Sequence, residues 1–157
     1  MTESVNANQN LTPLPAARNV PAPEGYVETP LWDPYEAFMG PLFDKRVVNA
    51  AGETELWMAF RVDDRHLNAR GVVHGGMMAS FADATLGSLA WNTTGREPCV
   101  TLSMQMNFLR GPKAGDLVEC RATMTRQTRS VLFVAGDFFV GGEPVMTASS
   151  LWKIIGK

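Results

Sequence analysis

One long apolar segment constrains this chain more than any other feature. Residues 75–92, GGMMASFADATLGSLAWN, carry apolar or small side chains nearly all round a helical projection. A helix of this composition is buried on most of its circumference, so the rest of the domain must cover it. The segment falls short of the roughly 20 apolar residues that cross a bilayer, and its Asp83 would be costly in lipid. We therefore predict a central buried helix and no membrane span.

The residues after this helix predict strands. In VTLSMQMNF, residues 100–108, apolar and polar side chains alternate with a period of two. Three more strand segments follow at residues 117–127, 131–140 and 145–155, separated by short turns. Short turns favour antiparallel neighbours, so we expect these four strands to lie side by side in chain order.

Two further strands are predicted before the helix, on either side of a turn at residues 51–53. A short helix is expected to begin after Asp33, a good N-cap residue, with Pro34 in its first position. Gly40 and Pro41 should end it.

One long helix and about six strands indicate an α+β domain, in which one curved antiparallel sheet wraps around the central helix. The domain is expected to span residues 31–157. Residues 1–30 contain five of the ten prolines and no periodicity, which predicts a flexible proline-rich N-terminal arm. A single helix cannot cover so much sheet. We therefore expect a homo-oligomer joined through the sheet, either a homodimer or a dimer of dimers.

Composition excludes several classes of function. The chain has a net charge of −2 and a pI of about 5.7, without the basic face of a nucleic-acid-binding protein. The first ten residues have no apolar core and do not form a secretory signal. Two cysteines, Cys99 and Cys120, have no metal-ligand spacing and are expected to be reduced thiols. These features predict a cytoplasmic protein with no metal, no other cofactor, no nucleic-acid partner and no membrane partner.

A motif lies at the start of the long helix. It consists of Asn68, His74, Gly75, Gly76 and Asp83, and the strand TLSMQMNFLRGPKAGD follows it. Together they resemble the hotdog-fold thioesterases of the phenylacetate-pathway (PaaI-like) type, from about residue 38 to the C-terminus. The resemblance implies a hotdog fold and hydrolysis of acyl-CoA to free acid and coenzyme A. It also implies active sites shared between two antiparallel central helices.

The residues of the motif support this chemistry independently. Asp83 has Ala79 and Gly87 at i−4 and i+4, so no salt bridge along the helix explains it. A carboxylate in an apolar helix is costly unless it is paired or functional. A hydrogen bond to a turn, or a solvent channel, remains the structural alternative. We interpret Asp83 as a general base or nucleophile, two roles that sequence does not separate.

Gly75 supplies the second element of the site. The first backbone N–H groups of a helix have no intrahelical partner and lie at the positive end of the dipole, where they can polarise a thioester carbonyl. Alternatively, the two glycines only permit a tight turn. Eight residues separate Gly75 from Asp83, which is about 12 Å along a helix. If both act on one carbonyl, they must therefore come from different protomers.

The resemblance implies roles for three more residues. Asn68 would bind the lytic water or the carbonyl, and Thr101 would hold water near the carboxylate. His74 would orient the carbonyl site or fix its loop. The residues themselves also allow simpler interpretations: a turn-forming asparagine, a plain strand threonine and a satisfied polar histidine.

The implied substrate predicts its own contacts. Gly76 and Met77 would adjoin the acyl group, although methionines of this helix also suit the core. Arg110, Lys113 and Arg129 would meet the nucleotide phosphates, or are simply solvated charges.

Two other functions stay open. A hotdog hydratase or dehydratase would need His74 and Asp83 to act together, and a non-catalytic acyl-CoA-binding protein would not need Asp83.

Overall fold

The computed structural model describes residues 13, 14, 16 and 18–156. Each predicted helix and strand is present among them. In chain order the elements are β1 (Val27–Glu28), α1 (Pro34–Met39), β2 (Phe43–Val48), β3 (Thr54–Arg61), a 3₁₀ turn (Asp64–His66), α2 (Gly75–Thr93), β4 (Cys99–Phe108), β5 (Leu117–Gln127), β6 (Val131–Val140) and β7 (Glu143–Ile154).

The strands form one antiparallel sheet in the order β1-β2-β3-β5-β6-β7-β4. Helix α2 packs mainly against β4, β5, β6 and β7 and also touches β3 through Phe60, so the sheet wraps around the helix. Phe81 of α2 lies between Phe60 and Phe138, with ring centroids 4.7 and 5.9 Å away in edge-to-face geometry. All three rings are fully buried. The predicted α+β hotdog architecture is confirmed.

The predicted strand order is wrong in one place. β4 is not a neighbour of β5, because β5 pairs with β3 and β6 while β4 pairs with β7 at the edge of the sheet. The connection between them, residues 109–116, can extend over about 28 Å. This length is enough to pass β6 and β7, which lie between β5 and β4, because neighbouring strands are about 4.8 Å apart. A connection of this length therefore does not dictate a hairpin.

The expectation that α2 is buried on most of its circumference is confirmed in part, since only Asp83 is exposed among residues 77–91. One face is buried, formed by Met78, Phe81, Ala82, Thr85, Leu86 and Ala90. Asp83 is exposed, and the other residues of this stretch are half-buried. The single chain therefore encloses α2 incompletely, and the opening lies around Asp83. None of the helices that the structure describes is long and apolar enough to cross a membrane.

The helix and the sheet approach each other closely at Gly87. A Cβ atom at this position would lie only 2.7 Å from Cη2 of Trp152 on β7. The indole of Trp152 is buried and its Nε1–H donates to Ser150 Oγ at 2.8 Å, which fixes the ring in place. Close packing of α2 on β7 therefore requires a residue without a side chain at Gly87.

Part of the predicted arm packs on the sheet. β1 pairs with β2, and the hydroxyl of the buried Tyr26 donates to Glu119 Oε1 at 2.6 Å. Lys45 Nζ lies 4.2 Å from the centroid of the Tyr26 ring. Residues 27 and 28, within the predicted arm, thus add a strand, and the sheet has seven strands where about six were expected. The prediction of a flexible arm for residues 1–12 lies outside the described residues.

Helix α1 begins and ends as the sequence predicts. Asp33 Oδ1 accepts hydrogen bonds from the backbone N–H groups of Tyr35 and Glu36, both at 2.8 Å. At the other end Gly40 N–H donates to Glu36 O. This helix places Tyr35 against α2, where its hydroxyl lies 2.7 Å from Ser80 Oγ.

Candidate active site

Asp83 lies in the third turn of α2 with its carboxylate on the exposed side of the helix. Its Oδ1 accepts a hydrogen bond of 2.7 Å from the hydroxyl of Thr101 on the edge strand β4. The register between β4 and β7 shifts between Thr101 and Ser103. Such bulges reorient the neighbouring side chains of a strand. Helix α2 and strand β4 together therefore hold the Asp83 carboxylate beside the hydroxyl donor of Thr101.

A cleft of about 690 Å³ opens beside Asp83, within the range of small-molecule sites. Its lining includes Trp32, Glu36, Met58, Trp91 and Cys99. Trp32 meets Trp91 edge-on at a centroid distance of 6.4 Å. Burial raises the pKa of Glu36, and the charges of Asp33 and Asp83 raise it further. The cleft thus combines aromatic walls with an acidic border.

The start of α2 is capped by His74. Its Nδ1 accepts the backbone N–H of Gly76 at 2.9 Å, so this donor of Gly76 is already engaged. The N–H of Gly75 forms no hydrogen bond within the described part of the chain. A Cβ atom on Gly75 would meet only Phe108, at 3.7 Å. Gly75 is therefore the donor that the helix start leaves available.

Asn68 occupies a tight turn in the loop before α2. Its Oδ1 accepts from Arg70 N–H at 2.8 Å, and its carbonyl accepts from Gly71 N–H at 3.0 Å. Gly71 has a φ of +74°, which a residue without Cβ adopts readily. Both oxygen atoms of Asn68 thus accept hydrogen bonds within the turn. Its side-chain amide N–H groups remain available as donors.

The matches to known proteins agree with this geometry. Residues 70–147 match the profile of the Thioesterase superfamily. A mutant of the phenylacetic acid degradation protein PaaI from Thermus thermophilus is 31% identical, with 78% of this chain and 100% of that chain covered and a TM-score of 0.65. The TT0310 protein from the same organism is 32% identical, with 78% and 98% covered and a TM-score of 0.64. The chain belongs to the thioesterase superfamily.

Its resemblance to the PaaI-like type is confirmed by these structures. The thioesterase is also 28% identical to acyl-coenzyme A thioesterase 13 of Mus musculus over 106 residues, which are 64% of this chain and 74% of the relative. This family membership makes the chain an enzyme that hydrolyses thioesters.

The three cations proposed for substrate binding are not brought together in one chain of the thioesterase. Arg110 and Lys113 are exposed in the connection 109–116, which adjoins the start of α2 through a hydrogen bond from Val73 N–H to Pro112 O. Arg129 borders a separate depression of about 400 Å³ with Thr93 and Thr94, at the end of α2. A 19-residue helix separates the two groups by about 28 Å.

The methionines and cysteines of the thioesterase differ in their burial. Met77 is half-buried and packs against the core, while Met78 is fully enclosed in it. Cys99 and Cys120 are free thiols. Within the described residues, no group of three or more His, Cys, Asp or Glu side chains is arranged to hold a metal ion.

Sequence reasoning missed His66, to which it assigned no role. Its imidazole is 4% exposed and contacts the end of α1, and its main-chain carbonyl accepts the N–H of His74 in the loop before α2. One local signal was present, since Asp63 and His66 form a capping box around the 3₁₀ turn. Its other partners are main-chain atoms of distant residues, which no local pattern identifies.

Proposed function

We propose that this thioesterase hydrolyses acyl-CoA thioesters to the free acid and coenzyme A, with Asp83 as general base or nucleophile. The hydrogen bond from Thr101 to Asp83 carries the proposal. It orients the Asp83 carboxylate beside a cleft of ligand size, where α2 is exposed. The name of the mouse relative supports a coenzyme A ester as substrate. The residues provide the acid–base groups themselves, so we propose no cofactor beyond the coenzyme A of the substrate.

We further propose that Gly75 N–H of one protomer polarises the thioester carbonyl that Asp83 of a second protomer serves. About 12 Å of helix separates the two residues within one chain. The edge strand β4 supports the association of two copies, because no described strand pairs with its outer edge and Val100, Leu102 and Phe108 are 47%, 56% and 55% exposed. An unpaired apolar edge is a natural site for strand addition. Pairing two β4 strands would extend both sheets and cover the opening around Asp83.

Supporting roles follow from the contacts. His74 caps α2 by accepting the Gly76 N–H, which would leave the Gly75 N–H for the substrate. Asn68 can donate only through its side-chain amide, which suits a water or a carbonyl oxygen. Arg110 and Lys113 adjoin the start of α2, and Arg129 of the opposite protomer can approach the same end when the two helices are antiparallel. These cations would bind the nucleotide phosphates.

The decisive experiment is Asp83→Asn, which keeps the size of the side chain but removes its basicity. We expect kcat to fall about 100- to 10,000-fold with KM little changed, since this is the usual effect of removing a positioned general base. Thiol release would be measured over short, medium, long and aryl acyl-CoA substrates. Glu143→Gln removes an exposed carboxylate at the start of β7 and serves as the matched control.

Near-native turnover by a folded Asp83→Asn variant would contradict the assignment. An enoyl-CoA is included in the panel because a hydratase would add water to it without releasing thiol. Binding of acyl-CoA without turnover of any substrate would instead indicate a binding protein.

A further inference from the structure

His66 is buried with both ring nitrogens hydrogen-bonded. Its Nδ1 accepts the backbone N–H of Asp63 at 3.1 Å, which leaves the proton on Nε2. Nε2 then donates to the carbonyl of Met39, in the last turn of α1, at 3.0 Å. Burial lowers the pKa of His66, so this neutral form persists. The imidazole thus connects α1 to the 3₁₀ turn.

The main chain of His66 extends this connection to α2. The carbonyl of His66 accepts the N–H of His74 at 2.7 Å and closes the loop of residues 67–73 at its base. His74 in turn caps α2 and precedes Gly75. Gly75, whose N–H is available, therefore directly follows His74, the residue that is hydrogen-bonded to the carbonyl of His66.

The surroundings of His66 leave it little freedom. Phe60 meets the imidazole ring edge-on at a centroid distance of 5.2 Å and also contacts Phe81 of α2. Its charged neighbours in the described part of the chain belong to the same turn. Arg65 binds Asp63 at 2.7 Å and the carbonyl of Gly40 at 2.9 Å, and Asp64 is exposed and paired with Arg18.

We infer that His66 is a positioning residue, whose anchored ring holds the loop that places Gly75 N–H at the substrate carbonyl. The inference rests on the proposed role of Gly75. His66 would not touch the substrate, and its effect passes through the hydrogen bond between its carbonyl and His74. A displacement of about 1 Å at a reacting centre can lower a rate about 100-fold, so a loosened loop base has a measurable consequence.

Two variants separate the two ring contacts. His66→Asn keeps an acceptor near the position of Nδ1 but does not reach Met39. His66→Gln keeps a donor near the position of Nε2 but loses the acceptor for Asp63. We expect each to lower kcat about 10- to 100-fold with little change in KM. Val134→Ala, in the core on β6, lowers stability away from the loop and should leave kcat unchanged.

A spectroscopic readout distinguishes positioning from general destabilisation. In protein labelled with ¹⁵N-glycine, the Gly75 amide signal is identified by its loss in Gly75→Ala. This signal should shift in both His66 variants and not in Val134→Ala. The signal of Gly52, in the turn between β2 and β3, should remain in place in all of them.

A folded His66 variant with native kcat, or with an unshifted Gly75 signal, would overturn the inference, and either variant alone suffices if the other does not fold. Asp83→Asn measured in parallel identifies which claim has failed. Loss of turnover in Asp83→Asn together with native kcat in the His66 variants refutes only the positioning role. Native turnover in Asp83→Asn refutes the proposed mechanism itself.

Discussion

The hydroxyl of Thr101 is the contact that orients Asp83. A hydrogen bond to a charged group contributes about 1.5–3 kcal/mol when it is sheltered from water. Thr101→Val keeps the branched shape and removes the donor. Because Thr101 is exposed in the single chain, we expect the lower part of this range, a decrease in kcat of about 10-fold.

Thr123→Val makes the same chemical change at an exposed position of β5 and is the control. Steady-state kinetics on one acyl-CoA substrate measures both variants. Equal kcat values for Thr101→Val and Thr123→Val would show that the hydroxyl does not support the carboxylate.

Individual site residues differed in how far the sequence revealed them. Asp83 stood out because no cation lies one helical turn away and its neighbours are apolar. Thr101 looked like any other strand threonine, and only the resemblance to a family assigned it a role. His66 escaped notice because Met39 O and His74 N–H are main-chain groups that the fold brings to it.

At the scale of elements, the packing of α2 on the sheet depends on Gly87. Gly87→Ala gains up to about 1 kcal/mol in helix propensity but places a Cβ atom against the fixed ring of Trp152. Overpacking of this kind costs about 1–3 kcal/mol. We expect a net decrease of about 1 kcal/mol in the free energy of unfolding, measured by denaturant titration.

Gly75→Ala provides the contrast. Its Cβ would make only an ordinary contact of 3.7 Å with Phe108, so the free energy of unfolding should not decrease. A Gly87→Ala variant as stable as the native chain would mean that the ring of Trp152 moves aside at no cost.

The elements themselves were predictable, whereas one pairing was not. Alternation with a period of two identified β4 as a strand, the capping residues located α1, and the long apolar segment located α2. Periodicity does not specify a partner, however. β4 pairs with β7 because β3 and β6 already occupy both edges of β5. The packed residues 26–28 were missed because the surrounding prolines dominated the composition.

At the scale of the whole molecule, we expect a dimer formed through the β4 edge. Leu102→Lys places a charge on this exposed apolar strand and should yield monomers in sedimentation velocity at micromolar concentration. Val27→Lys introduces the same charge at the opposite edge of the sheet, where β1 is 63% exposed at this residue, and should leave the dimer intact. A native chain that sediments only as a 17.2 kDa species would exclude the dimer.

Mixed dimers test whether the sites are shared. When Asp83→Asn chains are combined with Gly75→Val chains, one site of each mixed dimer receives both defects and the other receives neither. Activity absent from both parent proteins should therefore reappear. If two folded, dimeric parents regained nothing after exchange, both groups would belong to one chain.

The pairing of β4 with β7 also has a consequence for synthesis of the protein. β4 ends at Phe108 and its partner strand β7 begins at Glu143. At about 5–20 residues per second, a ribosome needs about 2–7 s to translate the residues between them. During that interval the nascent chain holds α2 and β4 but lacks the strand that seats Thr101 beside Asp83. The carboxylate thus acquires its orienting hydroxyl only after β7 has been translated, when the other strands of the sheet have already emerged.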